Sequence, residues 1–270
     1  LEMAKRIAKK YVSLGGKYLT GKDICKVKEK DGKVECVIDS ESATYKGDYF
    51  VVACDTKVTF SRFLKGMPKD LKLTYKKRKT YPIISSFHIA YDIALPHFDL
   101  PEAYIFECKP IKIGESFYSR IMLRNYEYGT NFAPEGHIVF QVFLLQTEKD
   151  YNYFCNLNEK EYSRGKQKIC RQVTAEIIKH FPNLKFKITA IDCWTPLTYN
   201  KYFGAYKGAY LSFGITNMIR LKKVDCKLKN YQNAYISSQW QTMFGGLPNA
   251  LIQGKTCAEK IAGINKTAKA

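Results

Sequence analysis

The stretch with most chemical character runs from Ala234 to Ala250. Ala234-Tyr235-Ile236-Ser237-Ser238-Gln239-Trp240 leads through Met243-Phe244 into Gly245-Gly246-Leu247-Pro248-Asn249-Ala250. Its apolar start reads as a strand, its glycines as a turn, and the residues after them as the beginning of a helix. Gly245 and Gly246 remove side chains where a ligand would approach the main chain, and Pro248 suits a first helical turn because its missing N–H breaks no bond there. Such a helix start presents free amides and the positive end of the helix dipole, which suits a phosphate or the electron-rich edge of an aromatic cofactor. Further on, Ala250, Gly254 and Ala258 recur every four residues, a spacing that predicts a small-residue face packed closely on another element. Elsewhere the reactive side chains are dispersed. The nine Cys are odd in number and never form a two-residue-spaced pair, so they read as reduced thiols of a cytoplasmic protein. The four His are equally scattered, giving no local support for a zinc site or a Cys–His nucleophile, and no catalytic side chain stands out.

The elements that would position this turn can be read along the chain. Met3, Ile7 and Tyr11 fall on one helical face with no capping residue before them, so a segment upstream of Leu1 is expected. Gly15-Gly16 ends that helix and a short strand is expected at 17–20. Residues 24–28 and 33–38 flank Asp31-Gly32, which supplies the positive φ of a hairpin turn. Residues 47–55 carry a continuous apolar strand of the kind buried in parallel sheets, followed by a helix over 57–64. From Gly66 the texture changes. Aromatic-rich strands at 83–93, 117–123 and 137–145 predict one large antiparallel sheet. A helix over 159–180 follows, with Ile169, Val173, Ile177 and Phe181 on one face and Pro182 as its stop, and then a strand at 188–194. In residues 199–213, Tyr199, Tyr202, Phe203, Tyr206 and Tyr210 interleave with Gly204 and Gly208, either as packing on the sheet or as a wall for an extended apolar ligand.

At 270 residues and 46% hydrophobic content the chain can bury a real core, as one large domain or two modest ones. No apolar run reaches the roughly 18 residues that a membrane-spanning helix needs, so a soluble protein is expected. The net charge of +19 makes an acidic partner conceivable. Lys outnumbers Arg and is spread throughout, with one dense run at 72–79, which disfavours nucleic acid and leaves peripheral contact with an anionic membrane as the better use of the charge. A basic, non-catalytic module for nucleic acid or anionic membrane is the competing reading.

Gln239-Trp240 followed by Gly245-Gly246-Leu247-Pro248 and Gly254-Lys255, with Ala258 and Ile261 beyond, resembles the carboxy-terminal flavin motif of the phytoene desaturase and carotenoid isomerase group of FAD-dependent, amine-oxidase-like oxidoreductases. The resemblance implies a fold class of α/β with α+β character, in three parts. Residues 1–65 would belong to an FAD-binding, Rossmann-like domain, 66–222 to a substrate domain built on a mostly antiparallel sheet with flanking helices, and 223–270 to the return into the FAD domain. It implies that Ile24 contacts adenine and that Ala53 and Cys54 border the adenosine side. Ser238, Gln239, Trp240, Gly245, Gly246, Leu247 and Pro248 would lie toward the flavin and diphosphate. The implied substrate is hydrophobic, a polyene or similar, giving up hydride or electrons to the flavin. Ser238 stands where the family commonly has Gly. No G-x-G-x-x-G opens a helix here, so the chain by itself is expected to bind FAD weakly or not at all.

Overall fold

The computed structural model describes residues 2–129, 132–214, 216–217, 224–242 and 245–263. Helix α1 (Glu2–Ser13) leads to a small antiparallel sheet of β1 (Ile24–Lys30), β2 (Lys33–Asp39) and β3 (Thr44–Tyr45). The β1–β2 turn is made by Asp31 and Gly32, with φ of 49° and 72°, the positive values the Asp-Gly pair was expected to supply. Strand β4 (Phe50–Val52) is followed by α2 (Thr56–Val58), a π-type turn (Thr59–Phe63) and α3 (Lys69–Lys76). Next come β5 (Ile84–Ile93), β6 (Ala103–Ile113), β7 (Ser116–Asn125), β8 (Ile138–Thr147), α4 (Glu148–Cys155), α5 (Glu159–His180), β9 (Ile188–Trp194) and α6 (Pro196–Phe203). Strand β10 (Ala234–Ile236) and α7 (Leu247–Ile261) complete the order.

Strands β5 to β9 form one five-stranded sheet in the order β6-β7-β8-β5-β9, with every recorded pairing antiparallel. Its main core lies where Phe87, Ile89, Tyr91 and Ile93 of β5 and Phe140 and Val142 of β8 meet Ile169, Val173 and Ile177 of α5. Asn158 caps α5 and exchanges bonds with Glu161, so the helix starts where its apolar period starts.

A second core gathers chain-distant pieces: Val34 of β2, Leu64, Leu71 of α3, Ile83, Phe213, and Ala234, Ile236 and Trp240 from the last third. At its centre β10 pairs with β4 in parallel, Ala234 opposite Phe50 and Ile236 opposite Val52. The parallel pairing agrees with the reading of the run at 47–55, but the strand is only three residues long, and Tyr49 and Val51 are exposed because the pair has no further covering layer among the described residues. Asn233 locks the hairpin to this pair. Its Oδ1 accepts from the Val34 amide at 2.9 Å, and its Nδ2 donates to the carbonyls of Val34 at 2.9 Å and Asp48 at 3.2 Å.

Several local expectations differ from the structure. Residues 17–20 form no strand, being exposed and without a pairing partner strand. The stretch 57–64 is one α-turn and one π-turn rather than a continuous helix. On α7 the buried positions are Gln253 and Cys257, while Ala250, Gly254 and Ala258 are exposed. Met3, Ile7 and Tyr11 share a stripe of α1 as expected, and all three are exposed.

Candidate functional site

Strand β4 runs out into Ala53, Cys54 and Asp55, and β10 runs out beside it into Ser237, whose amide donates to the Val52 carbonyl at 3.0 Å. Because the two strands are parallel, their carboxyl ends open on the same side, the place where sheets of this kind bind ligands. There they border a cleft of about 630 Å³. Ala53, Asp55, Ser237, Ser238, Gln239 and Trp240 form its strand-end wall; Gly246, Leu247 and Ala250 bring in the start of α7, and Tyr210 and Leu211 close the remaining side.

The turn into α7 is held from inside the chain. The Gly245 amide donates to the Leu211 carbonyl at 2.7 Å, and the Gly246 amide donates to Gln239 Oε1. A Cβ on Gly245 would lie 2.5 Å from both the Leu211 oxygen and Gln239 Oε1, so close approach of the protein's own backbone already requires glycine. Gly246 has φ 99° and ψ 172°, a conformation open essentially to glycine alone, and it provides no side-chain cap for α7. Where α7 meets the cleft edge there is thus no side-chain cap at Gly246, and Pro248 has no N–H to satisfy there, an arrangement compatible with an anion-binding helix start. Ser238 is occupied locally: its Oγ accepts from the Trp240 amide at 3.4 Å while its own amide donates to Gln241 Oε1 at 2.7 Å. Trp240 is buried, stacked on Tyr75 at 6.0 Å and edge-on to Phe213 at 5.0 Å, so it forms the floor of the cleft and part of the second core at once.

Asp55 joins this wall to the rest of the molecule. One carboxylate oxygen accepts from the Lys57 amide at 2.6 Å, capping α2, and the other accepts from the Tyr206 amide at 2.8 Å. Burial raises its pKa above the ordinary carboxylate range, partly offset by those amides. Backbone amides on both sides and, more distantly, the Tyr75 hydroxyl at 3.5 Å donate to it, which suits an anchor for the cleft.

Tyr210 faces two ways. Besides lining the cleft, its ring lies 6.0 Å from His88 and 5.7 Å from Phe143, on the surface of the large sheet, and 5.9 Å from Tyr199 of α6. His88 Nε2 is 2.9 Å from Ser86 Oγ, which donates its single proton to Tyr199 Oη at 3.0 Å. Nε2 must then carry the imidazole proton, leaving Nδ1 as a bare acceptor, and that buried atom has no partner among the described residues. Burial pushes the His88 pKa down to about 4, so the ring is neutral at physiological pH. A larger cavity of about 910 Å³ is walled by Trp194, Leu197, Tyr199, Tyr202 and Phe203, the last three from the segment whose aromatics suggested a ligand wall.

Of the residues singled out from sequence, Ala53, Ser238, Gln239, Trp240, Gly246 and Leu247 line one cleft. Gly245 and Pro248 adjoin it in the turn and the first helical turn, and Cys54 lies between two lining residues without being one itself. Ile24 opens β1, half-buried and paired with Asp39, and is not among the lining residues. Met243 and Phe244 lie outside the described residues. Tyr210, singled out as part of a possible ligand wall, does line the cleft. Asp55 and Leu211 were not anticipated; for Asp55 the signal was present, an acidic residue ending an apolar strand where a helix cap is needed. No group of three or more His, Cys, Asp or Glu converges among the described residues, and no helix there is long and apolar enough to cross a membrane.

No family model matches the chain. Prolycopene isomerases 1 and 2, chloroplastic, of an Oncidium hybrid cultivar are each 25% identical to it over 227 residues, covering 77% of this chain and 36% of theirs. The chain thus spans about a third of the length of the curated relatives it matches. Among solved structures, a cofactor-binding redesign of putrescine oxidase superposes with a TM-score of 0.58 at 10% identity, over 97% of this chain and 52% of the other. An oxidoreductase from Methanosarcina mazei does so with a TM-score of 0.53 at 12% identity, over 93% and 52%. The mixed α/β fold with its large antiparallel sheet and flanking helices is the fold of these oxidoreductases, and the likeness in sequence agrees with the resemblance carried by Gln239 to Pro248.

Proposed function

We propose that this chain is part of a longer FAD-dependent oxidoreductase acting on a hydrophobic substrate, a polyene or a molecule of similar shape. The observation that carries this reading is the cleft at the parallel ends of β4 and β10, where chain-distant residues Ala53 and Gly246 come to line one space beside a helix start whose cap residue is glycine. In this reading the amides opening α7 hold the electron-rich side of the cofactor, Trp240 and Gln239 keep the turn rigid, and Ala53 and Cys54 border the adenosine side. Ile24 would meet the adenine from the hairpin. Residues 1–65 and 223–270 would then form the cofactor domain and 66–222 the substrate domain. FAD, when bound, supplies the hydride- and electron-accepting chemistry.

The remaining work falls to the chain's own side chains. Phe143, Tyr199, Tyr210 and Trp194 would press the substrate's C–H bonds toward the cleft and exclude water, while neutral His88 keeps charge away from an apolar chain. The many lysines would allow peripheral contact with an anionic membrane from which such a substrate is drawn.

The test is cofactor content. Purified together with whatever coding sequence precedes Leu1 in its gene, the protein should be yellow, with the paired absorption bands of bound flavin that bleach under dithionite. A colourless protein that instead retards DNA or RNA with a steep salt dependence would replace this reading with that of a basic binding module.

A further inference from the structure

Two of the nine cysteines meet at the back of the large sheet, away from the cleft. Cys170 is on α5 and Cys193 on β9, an edge strand, and Cys170 packs against the core cluster that contains Cys193. Both border one surface cavity of about 570 Å³, together with Lys166 and Arg171. Lys166 stands one turn before Cys170 on the same helix. Cys193 is buried in the main core, whereas Cys170 is half-buried beside it. A second cysteine pair, Cys226 and Cys257, provides a contrast inside the same molecule: the two are shut into one small core with Tyr235, each residue no more than 3% exposed.

We infer that Cys170 and Cys193 form a hydroperoxide-reactive pair, with Cys170 as the attacking sulfur and Cys193 as the resolving one, closing an intrachain disulfide between α5 and β9. The environment favours this division of labour. Cys170 is the more accessible of the two and shares the cavity with Lys166 one turn away, whereas Cys193 is buried. The neighbouring Cys193 thiol and then the Lys166 ammonium lower the Cys170 pKa against the effect of burial, and the Cys193 thiol is raised. In the first step the Cys170 thiolate attacks a peroxide oxygen; the O–O bond breaks, a sulfenic acid forms, and the departing hydroxide takes a proton from solvent to become water. In the second, Cys193 Sγ attacks the sulfenic sulfur. The S–O bond breaks, the S–S bond forms, and the thiol proton leaves with the hydroxide as a second water. Two thiols are oxidised and one hydrogen peroxide is reduced. The inference is independent of the flavin reading.

The experiment is a hydrogen peroxide titration of the purified chain, with alkylation, proteolysis and peptide mapping. The expected result is a peptide joined through Cys170 and Cys193, at doses where Cys226 and Cys257 are still fully alkylated after unfolding. Cys193→Ser should lose the cross-link and leave Cys170 as a sulfenic acid captured by dimedone. Absence of the cross-link at doses that oxidise exposed Cys25 overturns the inference, as does a Cys226–Cys257 cross-link formed equally fast. If Cys193→Ser does not fold, the mapping of the unsubstituted chain decides alone.

Discussion

Gln239 Oε1 accepts the amide proton of Gly246, so one side chain on the strand end holds the turn that enters α7. With the Gly245–Leu211 bond it makes the turn a fixed edge of the cleft. Gln239→Ala leaves that amide without its partner and should cost about 1–2 kcal/mol of unfolding free energy, the scale of one lost hydrogen bond. Gln239→Glu keeps an acceptor in place and should lie close to the unsubstituted chain. Urea unfolding of both variants checks this; equal losses would show that the acceptor is not what matters.

The three glycines of this region should respond differently to alanine. Gly245→Ala drives a Cβ into the Leu211 carbonyl, and Gly246→Ala forces a side chain onto φ 99°; each should destabilise by on the order of 1–3 kcal/mol. Gly254 is exposed within α7, and a Cβ there would meet only Ser237 Oγ at 3.9 Å. Gly254→Ala should therefore stabilise the protein by about 0.5–1 kcal/mol through helix propensity. Melting temperatures give the signs, and a stabilised Gly246→Ala would contradict the assigned turn.

His88 should leave a mark on acid stability. Its pKa falls from an ordinary 6.5 to about 4 in the fold, so between those values the unfolded chain binds a proton that the folded one does not. Stability contributed by the neutral ring is complete above pH 6.5 and is lost as pH falls toward 4, by about 3 kcal/mol in all. His88→Gln should flatten that part of the curve. Unfolding free energies measured at pH 7, 6, 5 and 4 for both proteins, taken as a difference, isolate the effect; parallel curves would remove His88 as its source.

Much of the fold was legible because the relevant signals are local. Glu159–His180 and Ile188–Trp194 have the bounds expected from helical period, the Pro182 stop and the Thr195-Pro196 end. The Ala103–Ile113 strand was missed because Lys109-Pro110 breaks its alternation, and its pairing with β7 shifts between Glu107 and Ile111. Short α6 is dominated by aromatics with little helical preference. At the site, the residues from Ser238 to Leu247 could be singled out because strand, glycines and helix start are contiguous. Leu211 could not: it is fixed at the cleft through the bond from Gly245, a contact set by tertiary structure alone. Tyr210 was picked out only as packing or wall, and its place between the cleft and His88 is likewise a tertiary contact. The Ala250–Gly254–Ala258 period likewise misled, since identical spacing describes an inward or an outward helix face.

The Phe50–Ala234 pairing also sets an order of events on the ribosome. β4 is synthesised long before β10, its ladder neighbour among the described residues, and every strand of the five-stranded sheet emerges in between. A nascent chain must therefore carry β4 without its β10 pairing while the middle of the molecule folds, and the cleft can close only afterwards, against the entropy of a very long loop. Translation products ending short of Ala234 would leave the β10-facing edge of β4 unpaired, favouring chaperone capture or aggregation.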